Sequence, residues 1–269
     1  MKYVLVTGAC GGMGSAAVKA YKEAGYFVFA MDKREYEAEE NVMPLVADIT
    51  SESDIVSALE KVKKVTDNLY AIVHFAGIYV LDSLVEISEE AYMRAFNINA
   101  FGAYRVNKIF LPLLKSGSKI VITTSELAPL DPLPFTGLYA ITKSALDKYA
   151  YSLRMELQLL GISVVVFRPG AVKTDMLDVS TTALDRFCDK SQLYTCNAER
   201  FRNIVNKVEA RHIPTERLAK KTVEIVNKRK PKQVYKINRN PLLLMLNILP
   251  RSWQTKIIGL VLKEKKKRK

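Results

Sequence analysis

A tyrosine and a lysine four residues apart, in Tyr139-Ala140-Ile141-Thr142-Lys143, have the types and spacing for proton chemistry. Leu146, Leu153, Leu157 and Leu160 recur behind them at helical spacing. On a helix, positions i and i+4 share a face, so the phenol and the ammonium project towards one point. A free phenol ionises at about pH 10, too high for easy proton exchange near neutrality. A nearby cation favours the phenolate, so the spacing predicts that Lys143 lowers the Tyr139 pKa and makes it a general acid/base. Ordinary helices carry the same pair, so the assignment rests on what precedes it.

What precedes it begins with Thr7-Gly8-Ala9-Cys10-Gly11-Gly12-Met13-Gly14. This run lies between an apolar strand-like stretch, Lys2 to Val6, and a helical pattern from Gly12 to Ala24. Glycines at a strand-to-helix turn let the backbone approach a pyrophosphate, and the helix start offers N–H groups and a positive dipole end. Asp32 closes the next apolar stretch, where a carboxylate accepts from ribose hydroxyls and repels a 2′-phosphate, which favours NAD. Lys33 and Arg34 follow at once and offer the alternative, the extra phosphate of NADP.

Strand-like and helix-like segments alternate around these residues, the pattern of βαβ units in a doubly wound α/β fold. Strands are expected at 2–6, 26–31, 42–47, 69–73, 119–123, 162–167 and 233–237, seven in one parallel sheet. Their continuous apolar character suits strands covered on both faces. Helices are expected at 51–64, from Ser88 as cap to Leu114, from Tyr139 onward, at 198–208 and at 215–228. Residues 1–240 read as a single domain with a substrate lid at about 174–214, and Asn238 to Pro241 as a linker. A tail follows at 241–269, where Trp253, Ile257, Leu260 and Val261 form one helical stripe.

Composition narrows the function classes. The net charge is +13, yet Lys263 to Lys269 alone hold six bases against Glu264. No nucleic-acid-binding motif accompanies the charge, which favours an anionic membrane surface over nucleic acid as the tail's partner. The apolar block Leu242 to Leu249 is too short to span a bilayer, and Pro250 interrupts it. The tail is therefore either an interfacial anchor or an arm packed on its own domain or a second subunit. Cys10, Cys188 and Cys196 have no metal-type spacing, and with only His74 and His212 in the chain no metal site is expected. Three cysteines and no signal-like N-terminus lead to an expectation of a reduced, cytoplasmic setting.

Taken in order, these motifs resemble the classical short-chain dehydrogenase/reductases from about Lys2 to Ile237. Thr7, Gly8, Gly12, Met13 and Gly14 match the family's cofactor loop, and Tyr139 with Lys143 match its catalytic pair. Asp48, with Ile49 beside it, matches the acid placed against the adenine, and Ala76-Gly77 a backbone wall beside the cofactor. Pro169-Gly170, with Val172 and Thr174, match the segment at the nicotinamide carboxamide. Asn99 matches the asparagine of the lysine water relay, Gly102 setting the register over Asn97. Ser125 matches the serine that holds the substrate oxygen, although its gap to Tyr139 is one residue long; Thr124 is the runner-up and Glu126 occupies the strict spacing. Phe75 departs from the family, which has an asparagine there that ties neighbouring strands, and His74 reads as structural.

The resemblance implies reversible oxidation of a secondary alcohol to a ketone with NAD or NADP, and a homodimer or homotetramer. Leu133-Pro134-Phe135 and Tyr151 to Leu157 resemble members acting on hydroxysteroids and retinoids, which implies a lipophilic substrate. A catalytically silent cofactor-binding sensor, or a membrane-surface scaffold, is the alternative on the same fold. Intact Tyr139, Lys143 and Asn99 argue against the sensor.

Overall fold

The computed structural model describes residues 1–173, 184–208 and 213–263. Seven strands form one all-parallel sheet: β1 Lys2–Thr7, β2 Tyr26–Asp32, β3 Val42–Val46, β4 Leu69–His74, β5 Leu114–Thr123, β6 Ser163–Pro169 and β9 Val234–Ile237. Their spatial order is β3-β2-β1-β4-β5-β6-β9. The order reverses at β1, which sends the crossover helices to opposite faces and opens a crevice at the C-terminal strand ends.

Side chains alternate across a strand, so each apolar run feeds two cores. Leu5, Phe29, Ile72, Ile120 and Ile122 pack on one face against α2 (Glu52–Lys63), α4 (Gly102–Phe110) and α5 (Gly137–Leu157). Val4, Val6, Val28, Val73, Val121 and Phe167 pack on the other against α1 (Gly12–Glu23) and α8 (Thr215–Asn227). All of these strand side chains are fully buried. Each contributes roughly 1.5–3 kcal/mol by leaving water, which is why these positions are apolar.

The expected helix from Ser88 to Leu114 is instead four pieces. Ser88 does cap α3 (Glu89–Phe96), its hydroxyl accepting from Ala91 N–H. A π-helical turn at Asn97–Phe101 follows, then α4, then a 3₁₀ turn at Leu111–Leu113. The wide turn shifts the buried face by about one residue and carries Asn99 inward. Pro112, lacking an N–H, helps end the helical ladder, and Leu114 already belongs to β5. Two short strands, β7 Val172–Lys173 and β8 Ile213–Pro214, pair in parallel outside the main sheet. Two residues leave no readable periodicity, and neither strand was expected.

Helix α6 (184–190) and α7 (Thr195–Val208) supply Leu184, Phe187, Ala198 and Phe201 to a third cluster with Leu81, Phe135 and Leu262. Leu262 arrives from α10 (Arg251–Leu262), which follows α9 (Pro241–Ile248). The segment expected as a linker is anchored at both ends: Asn238 Nδ2 donates to Ala171 O, and Asn240 N–H donates to Glu126 Oε2. Asn240 then caps α9 through Leu242 N–H. Among the described residues no helix is long and apolar enough to cross a membrane.

Candidate active site

The C-terminal strand ends bring the expected residues to one rim. The glycine turn follows β1, Asp32 ends β2, Asp48 follows β3, Ala76-Gly77 follow β4, Ser125 follows β5, and Pro169-Gly170 close β6. Two glycines of the first turn are sterically required. Gly8 has φ +73, and a Cβ there would lie 2.6 Å from Ala76 N. A Cβ on Gly14 would meet the Gly8 carbonyl. The helix begins at Gly12 with Gly11 as cap, no side-chain cap and no acid in its first turn. The Gly12, Met13 and Gly14 end thus presents the positive pole of α1 unopposed.

Asp32 is drawn onto this turn. Its Oδ2 accepts from Cys10 N–H at 3.0 Å and its Oδ1 from Arg34 N–H at 3.0 Å. The Arg34 guanidinium lies 3.6 Å from Oδ1 and donates to Cys10 O at 2.7 Å. Arg34, more than Lys33, is therefore the base at the mouth of the turn. Asp48 Oδ1 accepts from Thr50 N–H at 2.8 Å, and Ile49 covers Gly102, where a Cβ would meet its Cδ1.

Around the expected catalytic pair, Tyr139 is half-buried as the third residue of α5 and Lys143 is buried behind it. Ser125 accepts from Leu127 N–H at 3.2 Å, and its hydroxyl faces Tyr139 closely enough to oppose the upward effect of burial on the phenol. Thr124 instead donates to Asp147, which forms a two-pronged ion pair with Arg168 at 2.9 and 2.6 Å. Glu126 turns away to Asn240, and burial pushes its carboxyl upwards. The extra residue between Ser125 and Tyr139 is absorbed in loop 126–136, where Phe135 takes φ +66. Of the three candidates, Ser125 alone meets Tyr139.

Lys143 Nζ donates to Thr123 O at 3.3 Å and lies 5.7 Å from the Tyr139 ring centroid. The expectation that this lysine depresses the phenol does not hold for this geometry. Burial pushes Tyr139 up to about 12, opposed by Ser125, and pushes Lys143 down to about 8. Desolvation disfavours both charged forms, the phenolate and the ammonium alike.

Asn99 completes the cluster. Its Oδ1 accepts from Ile78 N–H at 2.8 Å, and its Nδ2 donates to Ile78 O and to Thr142 Oγ1. Gly77 sits between the two polar groups: a Cβ there would lie 3.1 Å from Asn99 Oδ1 and 3.3 Å from Lys143 Nζ. Thr142 and Tyr79, whose ring lies 4.8 Å from that of Tyr139, were missed in the sequence. Thr142 is legible only once Asn99 is known to face α5. Gly170 packs against the Asn238 backbone and Val172 is buried in β7. Thr174 lies outside the described residues.

Where Phe75 replaces the asparagine, its ring joins the core and its neighbour does the tying. His74 Nδ1 meets Thr7 Oγ1 at 3.5 Å, and Nε2 meets Asn107 Oδ1 at 2.8 Å. Asn107 Nδ2 goes on to Tyr149 Oη. Burial pushes His74 down to about 4, so the imidazole is neutral and structural. Among the described residues no cluster of three or more His, Cys, Asp or Glu is placed to hold a metal.

Known proteins share both the sequence and the fold. The chain is 36% identical over 187 residues to estradiol 17-beta-dehydrogenase 2 of Mus musculus, a match covering 65% of this chain and 49% of that protein. It thus spans about half the length of that relative. A 3-ketodihydrosphingosine reductase of Bacteroides thetaiotaomicron is 24% identical over 251 residues, covering 93% of this chain and 92% of the relative. The crystal structure of a 3-ketoacyl-(acyl-carrier-protein) reductase from Brucella melitensis complexed with NADH superposes with a TM-score of 0.72 at 20% identity, covering 88% of this chain and 96% of that one. The family profile described as short chain dehydrogenase matches residues 2–185, and with Gly8, Gly14, Ser125, Tyr139 and Lys143 gathered on one rim, the chain belongs to the short-chain dehydrogenase family.

Proposed function

We propose that this protein is an NAD(P)-dependent oxidoreductase that interconverts a secondary alcohol and a ketone on a lipophilic substrate. The observation that carries the reading is the meeting of Ser125, Tyr139, Lys143 and Asn99 beside the glycine turn. The residues fit a nicotinamide dinucleotide, which when bound supplies the hydride acceptor or donor. The open start of α1 suits its phosphates, and Asp32 its adenosine ribose. Thr123 O is the one hydrogen-bond partner the described residues give Lys143, so its ammonium has donors left for ribose hydroxyls.

Tyr139 holds or accepts the substrate hydroxyl proton, and Ser125 hydrogen-bonds the substrate oxygen as charge develops there. Lys143, 5.7 Å from the Tyr139 ring, is placed to position the cofactor ribose beside that hydroxyl. Asn99 fixes Thr142 and the chain at Ile78, and so the floor under Lys143. Asp32 favours NAD, and Arg34 is the residue that would accept a 2′-phosphate once Asp32 is removed.

A steroid dehydrogenase and a sphingoid reductase among the relatives support a lipophilic substrate, as do Tyr79 beside Tyr139 and the aromatic cluster at Phe135. Oligomerisation belongs to the same reading. Phe101 and Tyr104 around α4, and Tyr151 and Met155 on α5, are exposed apolar side chains that a second copy would cover.

The test is turnover of hydroxysteroids, retinols and long-chain 3-ketones with each nicotinamide cofactor, followed by absorbance of the reduced form. Tyr139→Phe should lower turnover by about a hundred- to ten-thousand-fold while cofactor affinity changes little. Substantial residual activity in that variant would overturn the mechanism.

A further inference from the structure

The C-terminal arm carries two faces, of which the fold uses one. On α10, Gln254, Ile258 and Leu262, spaced four apart, turn towards the domain. Gln254 Nε2 and Arg251 Nε donate to the Asp131 carboxylate, and Asp131 N–H donates to Asn247 Oδ1 at 2.7 Å. Asn197 Nδ2 donates to the Leu262 carbonyl at 2.6 Å. The opposite face presents Trp253, Ile257 and Leu260, with Trp253 61% and Leu260 79% exposed. On α9, Leu242, Met245 and Ile248 are likewise exposed, Met245 at 65% and Ile248 at 81%, and no residue of this apolar helix is buried. A helix apolar all round normally lies in a core or in lipid. An exposed apolar patch of this kind marks a contact surface.

Charge decides what covers it. From Pro241 to Lys269 the sequence carries eight bases, among them Arg251, Lys256 and Lys263, against the single acid Glu264. A second copy of this face would set two such basic arms against each other. An anionic bilayer attracts the bases and accepts the apolar side chains. We propose that α9 and α10 seat the protein on an anionic lipid surface through Leu242, Met245, Ile248, Trp253 and Leu260, while Gln254, Ile258 and Leu262 hold the arm on the catalytic domain. The packed arm and the membrane anchor, alternatives in the sequence, are then two faces of one device. Asp131 lies in the loop that begins at Ser125, so the lipid contact adjoins the substrate side.

Trp253 is the chain's only tryptophan and reports on this face alone. With vesicles of phosphatidylcholine and phosphatidylserine at low salt, its emission should shift to the blue and be quenched by brominated acyl chains. The shift should be much smaller with phosphatidylcholine alone and should reverse as salt rises. Met245→Glu combined with Leu260→Glu should weaken vesicle binding by about tenfold or more. Both positions are exposed, so circular dichroism and dinucleotide binding should stay unchanged. No shift with phosphatidylserine vesicles, an equal shift with phosphatidylcholine alone, or no effect of the double substitution would overturn the proposal. So would a shift that follows protein concentration without lipid, which would give the face to a second copy. None of these readouts involves turnover, so they stand or fall apart from the catalytic assignment.

Discussion

Lys143 is an ammonium held where water scarcely reaches, and this placement costs stability. Its pKa falls from 10.5 to about 8 on folding, so between those values the unfolded chain binds more protons than the folded one. Stability should therefore rise with pH across that window, and the cost should be fully present below about pH 8. The gap corresponds to roughly 3 kcal/mol at neutrality. Lys143→Met should accordingly raise stability at pH 7 by up to about 3 kcal/mol, with the advantage vanishing towards pH 10.5, in urea melts over a pH series. Alcohol oxidation should climb above about pH 8 as the Tyr139 and Lys143 pair gives up a proton, and the apparent value belongs to the pair. The pair's shared helix face was legible from its spacing, and its candidacy for proton chemistry only from the glycine turn and the other motifs before it. The direction of its pKa shifts was not, because four-residue spacing reports a shared face but says nothing about how much water the fold removes. Ser125 shows the same limit: its gap to Tyr139 is one residue longer than expected, and the path of the intervening loop, with Phe135 at φ +66, is not written in spacing.

Among the elements, the sheet was the most legible because strands buried on both faces show near-continuous apolar runs at their centres. The π-helical turn was the least legible, since one inserted residue alters the direction of side chains without altering composition. That turn and the β4 end meet at Gly77, where space is already used by Asn99 and Lys143. Gly77→Ala should cost about 1–3 kcal/mol in thermal melts and lower kcat by displacing one of the two groups. An unaffected kcat would show that both can yield without consequence. The strand-tying role also moved between neighbours, from position 75 to His74 and Asn107. Asn107→Ala would leave a buried imidazole short of a partner and should destabilise the chain by about 1–3 kcal/mol. The effect should appear in denaturant melts and should spare dinucleotide affinity, since neither side chain lies on the rim.

For the whole molecule, two groups of exposed apolar side chains, on α4 with α5 and on the C-terminal arm, differ in the charge around them. The face of α4 and α5 around Tyr151 and Met155 lacks the basic run of the arm and suits a second copy. Tyr151→Lys with Met155→Lys should shift the protein to a lower oligomeric state in light scattering, while the arm substitutions should leave that state alone. Unchanged mass in the first variant would place the subunit contact elsewhere. The arm has one more consequence, for the order in which the protein is made. The glycine turn, Asp32 and Tyr139 all leave the ribosome before Asn247, Gln254 and Leu262, which brace the Ser125 loop and cover Phe135. A released chain ending near Asn240 is therefore expected to hold a dinucleotide while its aromatic cluster lacks the cover of Ile258 and Leu262. Such a product would be a sticky, ligand-competent intermediate rather than an unfolded one, and quality control would meet it as exposed Leu81, Phe135 and Phe201.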